Sequence, residues 1–246
     1  MKKKSKKNIR SWRPLGIGLV ITASFFLTGL VAADDEGPKI YGTITILDRD
    51  GNPKSDQSGA VVFLDDLENP LEENPAPPEK VSIHQAGKRF LPKVLPIVAG
   101  TTVDFPNDDT VFHNVFSLSK AKPFDLGLYP QETNKSVTFE KTGLVKIYCN
   151  IHPQMVAYIL VLANRHFTVT DPNGRFVLAD VPPGAATVRT WYPQAKENPQ
   201  YQIRITPEGV RDINMTIIEN LQLRIQEENI TVQHKNKFGQ QYPAKY

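Results

Sequence analysis

Apolar and polar positions alternate in short runs along most of the chain, the period-two signature of strands that set one face on a core. In Ile40-Tyr41-Gly42-Thr43-Ile44-Thr45-Ile46-Leu47, Ile40, Ile44 and Ile46 fall on one face, and Asp50-Gly51-Asn52-Pro53 turns the chain behind them. Further strands are predicted at residues 60–64, 81–85, 94–98, 101–105, 111–116, 135–139 and 143–149. Residues 155–162 differ, because Met155-Val156-Ala157-Tyr158-Ile159-Leu160-Val161-Leu162 is almost continuously apolar, as a central strand buried on both faces would be. No period of 3.6 residues runs far enough for an ordinary amphipathic helix. The fold class is therefore all-β, a sandwich of short strands.

A second set of runs begins at Asn164. His166-Phe167-Thr168-Val169-Thr170, Arg175-Phe176-Val177-Leu178 and residues 186–191 alternate with the turn sequences Asp171-Pro172-Asn173-Gly174 and Val181-Pro182-Pro183-Gly184. Residues 201–205 and 212–217 continue the pattern. The expected division is a first unit over 34–163, a small antiparallel β-sandwich-like module over 164–217, and a polar segment over 218–246. Residues 68–79 hold four prolines and four acidic residues, so they read as an exposed loop inside the first unit.

The N-terminus changes the meaning of the net charge of +3. Seven of the 29 basic residues lie in the first 13 positions, no acidic residue precedes Asp34, and residues 15–32 are apolar apart from Gly, Ser and Thr. Basic start, apolar run and the small residues of Val31-Ala32-Ala33 form an export signal over residues 1–33, with an uncleaved anchor through 15–32 as the alternative. Either way the remainder is expected in the periplasm or an equivalent exported compartment, with membrane attachment only if the segment is retained. Without residues 1–33 the chain has 22 basic and 26 acidic side chains, a balance of about −4 that, with no basic stripe, excludes a nucleic-acid partner.

One cysteine in an oxidising compartment cannot serve an intrachain disulfide. It lies in Tyr148-Cys149-Asn150-Ile151-His152-Pro153-Gln154-Met155, where Pro153 and the flanking strand patterns favour a short loop over a helix. A further histidine stands upstream in Val111-Phe112-His113-Asn114-Val115-Phe116. One thiolate, two imidazoles and a thioether are the donors of a mononuclear copper centre built for electron transfer. Oxygen-seeking cations are disfavoured by this set, and zinc is the nearer competitor, although catalytic zinc keeps an open position that Met155 would fill. His113, Cys149, His152 and Met155 are the candidate metal ligands, for one copper per chain. His84, His166 and His234 lack comparable partners and read as surface or partly buried side chains. Asp104, Asp108 and Asp109 sit around Phe105-Pro106-Asn107-Asp108-Asp109, which reads as a turn, and no catalytic carboxylate is assigned.

At these residues the chain resembles the cupredoxins, the plastocyanin and azurin superfamily. Residues 80–162 carry the likeness: Gly100-Thr101-Thr102-Val103-Asp104-Phe105-Pro106-Asn107 is similar to the strand before the first ligand, and Cys-x2-His-x2-Met is similar to the short amicyanin loop. The resemblance implies a Greek-key sandwich with type 1 copper near one end. It further implies that Asn114 ties the first ligand strand to the cysteine loop, and that backbone amides near Asn114 and Asn150 donate toward the sulfur. His152 would be the electron exit, with Pro153 beside it on the docking face. The extended architecture is also similar to exported methylamine-utilisation or plastocyanin-like proteins, and the second module resembles the carboxypeptidase regulatory or transthyretin-like β-sandwich.

These readings imply a non-enzymatic one-electron carrier that meets a redox protein partner. A copper carrier or sensor is the alternative, and a structural or docking β-module protein is a further one. An oxidase would need a second cluster of ligands, which the remaining histidines do not form.

Overall fold

The computed structural model describes residues 37–69 and 80–220. The export signal over 1–33, most of the acidic loop, His234 and all but the start of the polar C-terminal segment lie outside the described residues. Among the described residues no helix is long and apolar enough to cross a membrane.

The chain is built of strands: β1 (Ile40–Leu47), β2 (Val61–Asp65), β3 (Val81–Ser82), β4 (His84–Gln85), β5 (Phe90–Leu91), β6 (Val94–Val98), β7 (Thr101–Pro106), β8 (His113–Ser117), β9 (Phe124–Tyr129), β10 (Asn134–Phe139), β11 (Gly143–Tyr148) and β12 (Val156–Leu162). Five more follow: β13 (Phe167–Val169), β14 (Arg175–Leu178), β15 (Gly184–Trp191), β16 (Gln200–Ile205) and β17 (Val210–Ile218).

Strands β3 and β6 to β12 make an all-β, Greek-key sandwich, and β4 and β5 pair in a two-stranded ribbon of their own. One sheet runs β10-β7-β3 and the other β6-β12-β11-β8-β9. The chain crosses between these sheets after β6, after β7, after β9 and after β10, as a Greek key requires. Alternate residues meet in one core: Val103 and Phe105 of β7 and Phe139 of β10 face Val145 and Ile147 of β11 and Ala157 and Ile159 of β12. All seven residues of β12 are buried. One face joins that core, while Leu160 and Leu162 meet Val61 in a second cluster with Phe63 and Trp191 packed against it.

The first two strands do not share this core. β1 pairs antiparallel with β14 and parallel with β17, and β2 lies between β13 and β15. Ile40, Ile44, Ile46, Val62 and Leu64 pack with Phe176, Val188, Met215 and Ile217. The sequence grouped residues 40–65 with the strands that follow them, whereas the ladders join them to strands from 167 onward. Alternation along β1 specifies that a strand forms and which face is buried, but not which distant strand it pairs with. Gly42 marks the pairing: a Cβ there would fall 2.1 Å from the carbonyl oxygen of Ile213.

Two smaller differences concern the site. The strand expected from residue 111 begins at His113, leaving Val111 and Phe112 exposed in the approach loop. β9 is a strand the sequence reading does not include; at Gly127, with φ +67, its core-facing side changes from Phe124 and Leu126 to Tyr129, leaving Leu128 exposed. The described start of the acidic loop is held by Glu68, whose carboxylate accepts the Ala185 backbone N–H at 2.7 Å, and by Asn69, which donates to the Pro183 carbonyl.

Candidate metal centre

β8 and β11 run antiparallel with Phe116 opposite Tyr148. Moving back along β8 to His113 and forward past Tyr148 to Cys149 therefore leads to the same end of the sheet. β11 and β12 are themselves a hairpin closed by Tyr148 opposite Val156, so residues 149–155 are its loop. The loop turns where the Met155 N–H donates to the His152 carbonyl at 2.9 Å. This turn brings His152 back over Cys149.

Three donor atoms converge there. Cys149 Sγ lies 3.9 Å from His113 Nδ1 and 3.9 Å from His152 Nδ1, and the two nitrogens are 3.0 Å apart. A point equidistant from three atoms so spaced lies in their plane about 2.1 Å from each, within the ordinary range of metal bonds to imidazole and thiolate. The donor triangle therefore has the size to hold one metal ion of borderline softness. Met155, the last residue of the loop, is fully buried in the same core cluster as Cys149.

The surroundings prepare these donors. Burial pushes the Cys149 thiol up, and the backbone N–H groups of Asn114, Ile151 and His152 directed at it act in the opposite sense, favouring the thiolate. Burial holds the His152 imidazole below its ordinary range, helped by charge on His113 and Lys88 and opposed by Asp109. His152 is half-buried, and Pro153 and Gln154 beside it are exposed. Asn114, with no exposure, accepts the Asn150 backbone N–H on its Oδ1 at 2.7 Å, clasping the cysteine loop to β8. Both polar side-chain atoms of Asn150 are buried without a hydrogen-bond partner, so that residue is held through its backbone.

Behind the triangle lies a polar frame. Asn107, also without exposure, donates through Nδ2 to the carbonyls of Val111 and Tyr129 and accepts the Asp109 N–H on Oδ1. Gln85 donates to the Tyr129 hydroxyl at 2.7 Å, which donates in turn to the Phe105 carbonyl. Burial pushes the Tyr129 phenol far above its usual range, keeping it neutral.

Asp109 was read as a turn residue, yet its Oδ2 lies 2.8 Å from His113 Nε2. The spacing Asp109-x3-His113 was the available signal, and it is weak because a short acidic turn before a strand is common. His84 pairs with Asp108 at 2.7 Å on the surface, away from the triangle, and His166 is buried near the second core.

No family model matches the chain, and no curated protein matches it. Among solved structures, a purple cupredoxin from Nitrosopumilus maritimus is 29% identical over 33% of this chain and 99% of its own, with a TM-score of 0.31. A copper-containing nitrite reductase from Thermus scotoductus SA-01 is 28% identical over 38% of this chain, with a TM-score of 0.33, and this chain spans only 25% of its length. A Cu(I) form of an amicyanin variant is 19% identical over 41% of this chain and 98% of its own, with a TM-score of 0.33.

Proposed function

We propose that His113, Cys149 and His152 hold one copper ion as a type 1 centre, and that the chain passes single electrons through it in an exported compartment. The observation that carries the reading is the donor triangle, whose size suits a trigonal set of two nitrogens and one sulfur, with both imidazoles presenting Nδ1. Bound copper would supply a one-electron couple between Cu(I) and Cu(II). The protein's part is to keep the donors still. Buried His113 is fixed from behind, Cys149 receives backbone N–H groups, and Asn114 locks the loop, so little rearranges when the charge changes.

Buried Met155 would supply a weak thioether donor, helping to exclude water and tune the potential. His152, only half-buried, is the exit for the electron, with Pro153 on the docking face. Exposed Val111 and Phe112 before His113 and Leu128 opposite Asn114 supply apolar surface for a redox protein partner. We further assign residues 37–69 and 164–220 to a second β-sandwich, of the carboxypeptidase regulatory-like kind, into which the copper domain is inserted.

The test is the optical and electron-paramagnetic spectrum of the copper-loaded chain. A thiolate-to-Cu(II) charge-transfer band is expected, lost in Cys149→Ser and kept, with a shifted potential, in Met155→Leu. Copper bound without that band, and released readily as Cu(I), would favour the carrier reading instead.

A further inference from the structure

The face of His113 turned away from the donor triangle carries a group that the ligand set alone does not require. With Nε2 2.8 Å from Asp109 Oδ2, the ring donates its proton there and leaves a lone pair on Nδ1. Asp109 is not a loose surface acid. One of its oxygens accepts the Gly87 backbone N–H at 2.7 Å and the other that of Lys88 at 2.8 Å, and its side chain is 17% exposed. A carboxylate whose oxygens accept two backbone N–H groups and a ring N–H is thus fastened behind buried His113.

We propose that Asp109 is a positioning residue that fixes the Nε2–H tautomer of His113 and, through its charge, makes Nδ1 a stronger donor that favours the oxidised over the reduced metal. A carbonyl oxygen in its place would orient the ring equally well and add no charge. The distinction matters because a nearby anion stabilises a dication more than a monocation. This inference rests on the copper reading for its second half only.

Asp109→Asn in the full chain removes the charge at nearly constant size. Cu(II) affinity is expected to fall about 10–100-fold and Cu(I) affinity by less. Each tenfold difference between the two losses raises the potential by about 59 mV. Asp109→Glu keeps the charge and is expected to hold the potential nearer the wild type, even where both affinities drop. Equal losses for the two oxidation states in Asp109→Asn, or equal potential shifts in the Asn and Glu variants, would mean that Asp109 only pins the residue 86–89 turn, and would overturn the charge role. Nitrogen-15 spectra of the metal-free chain decide the tautomer separately: the wild type is expected to carry the proton on Nε2 of His113, and a proton on Nδ1 would sink the proposal. If wild-type protein lacks the charge-transfer band, the copper reading fails, and the tautomer measurement still judges Asp109.

Discussion

Around the core of β7, β8, β11 and β12, buried polar side chains lead to one place, whereas around the core of β1, β2, β15 and β17 they close turns and stitch strands. In the first region Asn107 holds the loop that carries Asp109, Asp109 holds His113, and Asn114 holds the loop that carries Cys149. In the second, Thr170 bridges the Gln57 carbonyl and the Ala60 N–H, Thr190 donates to the Pro199 carbonyl, and Lys54 and Tyr192 both donate to Glu219. Asp48 and Asp171 each accept two backbone N–H groups in turns of the same form. In both regions these side chains are paired, although Asn150 beside the first site and Arg189 Nε in the second region keep buried polar atoms without a hydrogen-bond partner. Only the first aligns the pairing on a convergent set of sulfur and nitrogen donors, and that alignment, rather than buried polarity as such, marks a site.

The largest test of this contrast uses equal cavities in the two cores. Ile159 and Ile44 are both fully buried, so Ile159→Ala and Ile44→Ala should each lower the unfolding free energy in urea by about 2–5 kcal/mol. Their effects on the metal should diverge. Ile44→Ala should leave copper affinity within about threefold, or about 0.6 kcal/mol, whereas Ile159→Ala, in the cluster that holds Cys149 and Met155, should weaken it further. A greater than tenfold loss in Ile44→Ala would show that the second core shapes the site, and the contrast would break.

A finer test compares two polar deletions. Asn114→Ala strips the acceptor from the Asn150 N–H, and Lys54→Met leaves Glu219 with Tyr192 alone. Each should cost about 1–3 kcal/mol, the penalty for leaving a buried polar group underpaired. The charge-transfer band should move only in Asn114→Ala. An unshifted band there would mean that the clasp stabilises the loop without setting the sulfur.

The sequence made the strands legible because alternation is a local property: β1, β7, β11 and the doubly buried β12 all stand out by their own residues. It also placed a thiol and an imidazole on one turn, since Cys149 and His152 are neighbours in the chain. What it could not carry was pairing at long range. Nothing in Ile40 to Leu47 names Ile213 to Ile218 as a partner, and the parallel register that joins them is set by packing from the far end of the chain. β9 is less legible for a different reason: its core-facing side changes at Gly127, so Leu128 is exposed and Tyr129 buried. Asp109 was hidden because its meaning depends on the Gly87 and Lys88 amides, which belong to another turn.

The smallest expected effect separates the regions by pH. Burial lowers the pKa of His166, with the Arg165 charge adding to it and Asp180 and the Ala179 backbone opposing it. The folded chain therefore prefers this ring neutral, and above the ordinary histidine range both states are neutral and it contributes nothing. As the pH falls below about 6.5 the unfolded chain takes up the proton first, so stability is lost until the folded group titrates too. His152 adds a second loss of the same sign in the metal-free chain, because burial and its charged neighbours depress it as well. Each histidine can contribute at most about 1.4 kcal/mol per pH unit. His166→Gln should remove its share in both metal-free and copper-loaded protein, measured as urea midpoints across this range, and leave the charge-transfer band unmoved. If the variant instead altered the band, or if the acid loss were the same with and without His166, the second core would not be the self-contained framework that its hydrogen bonds describe.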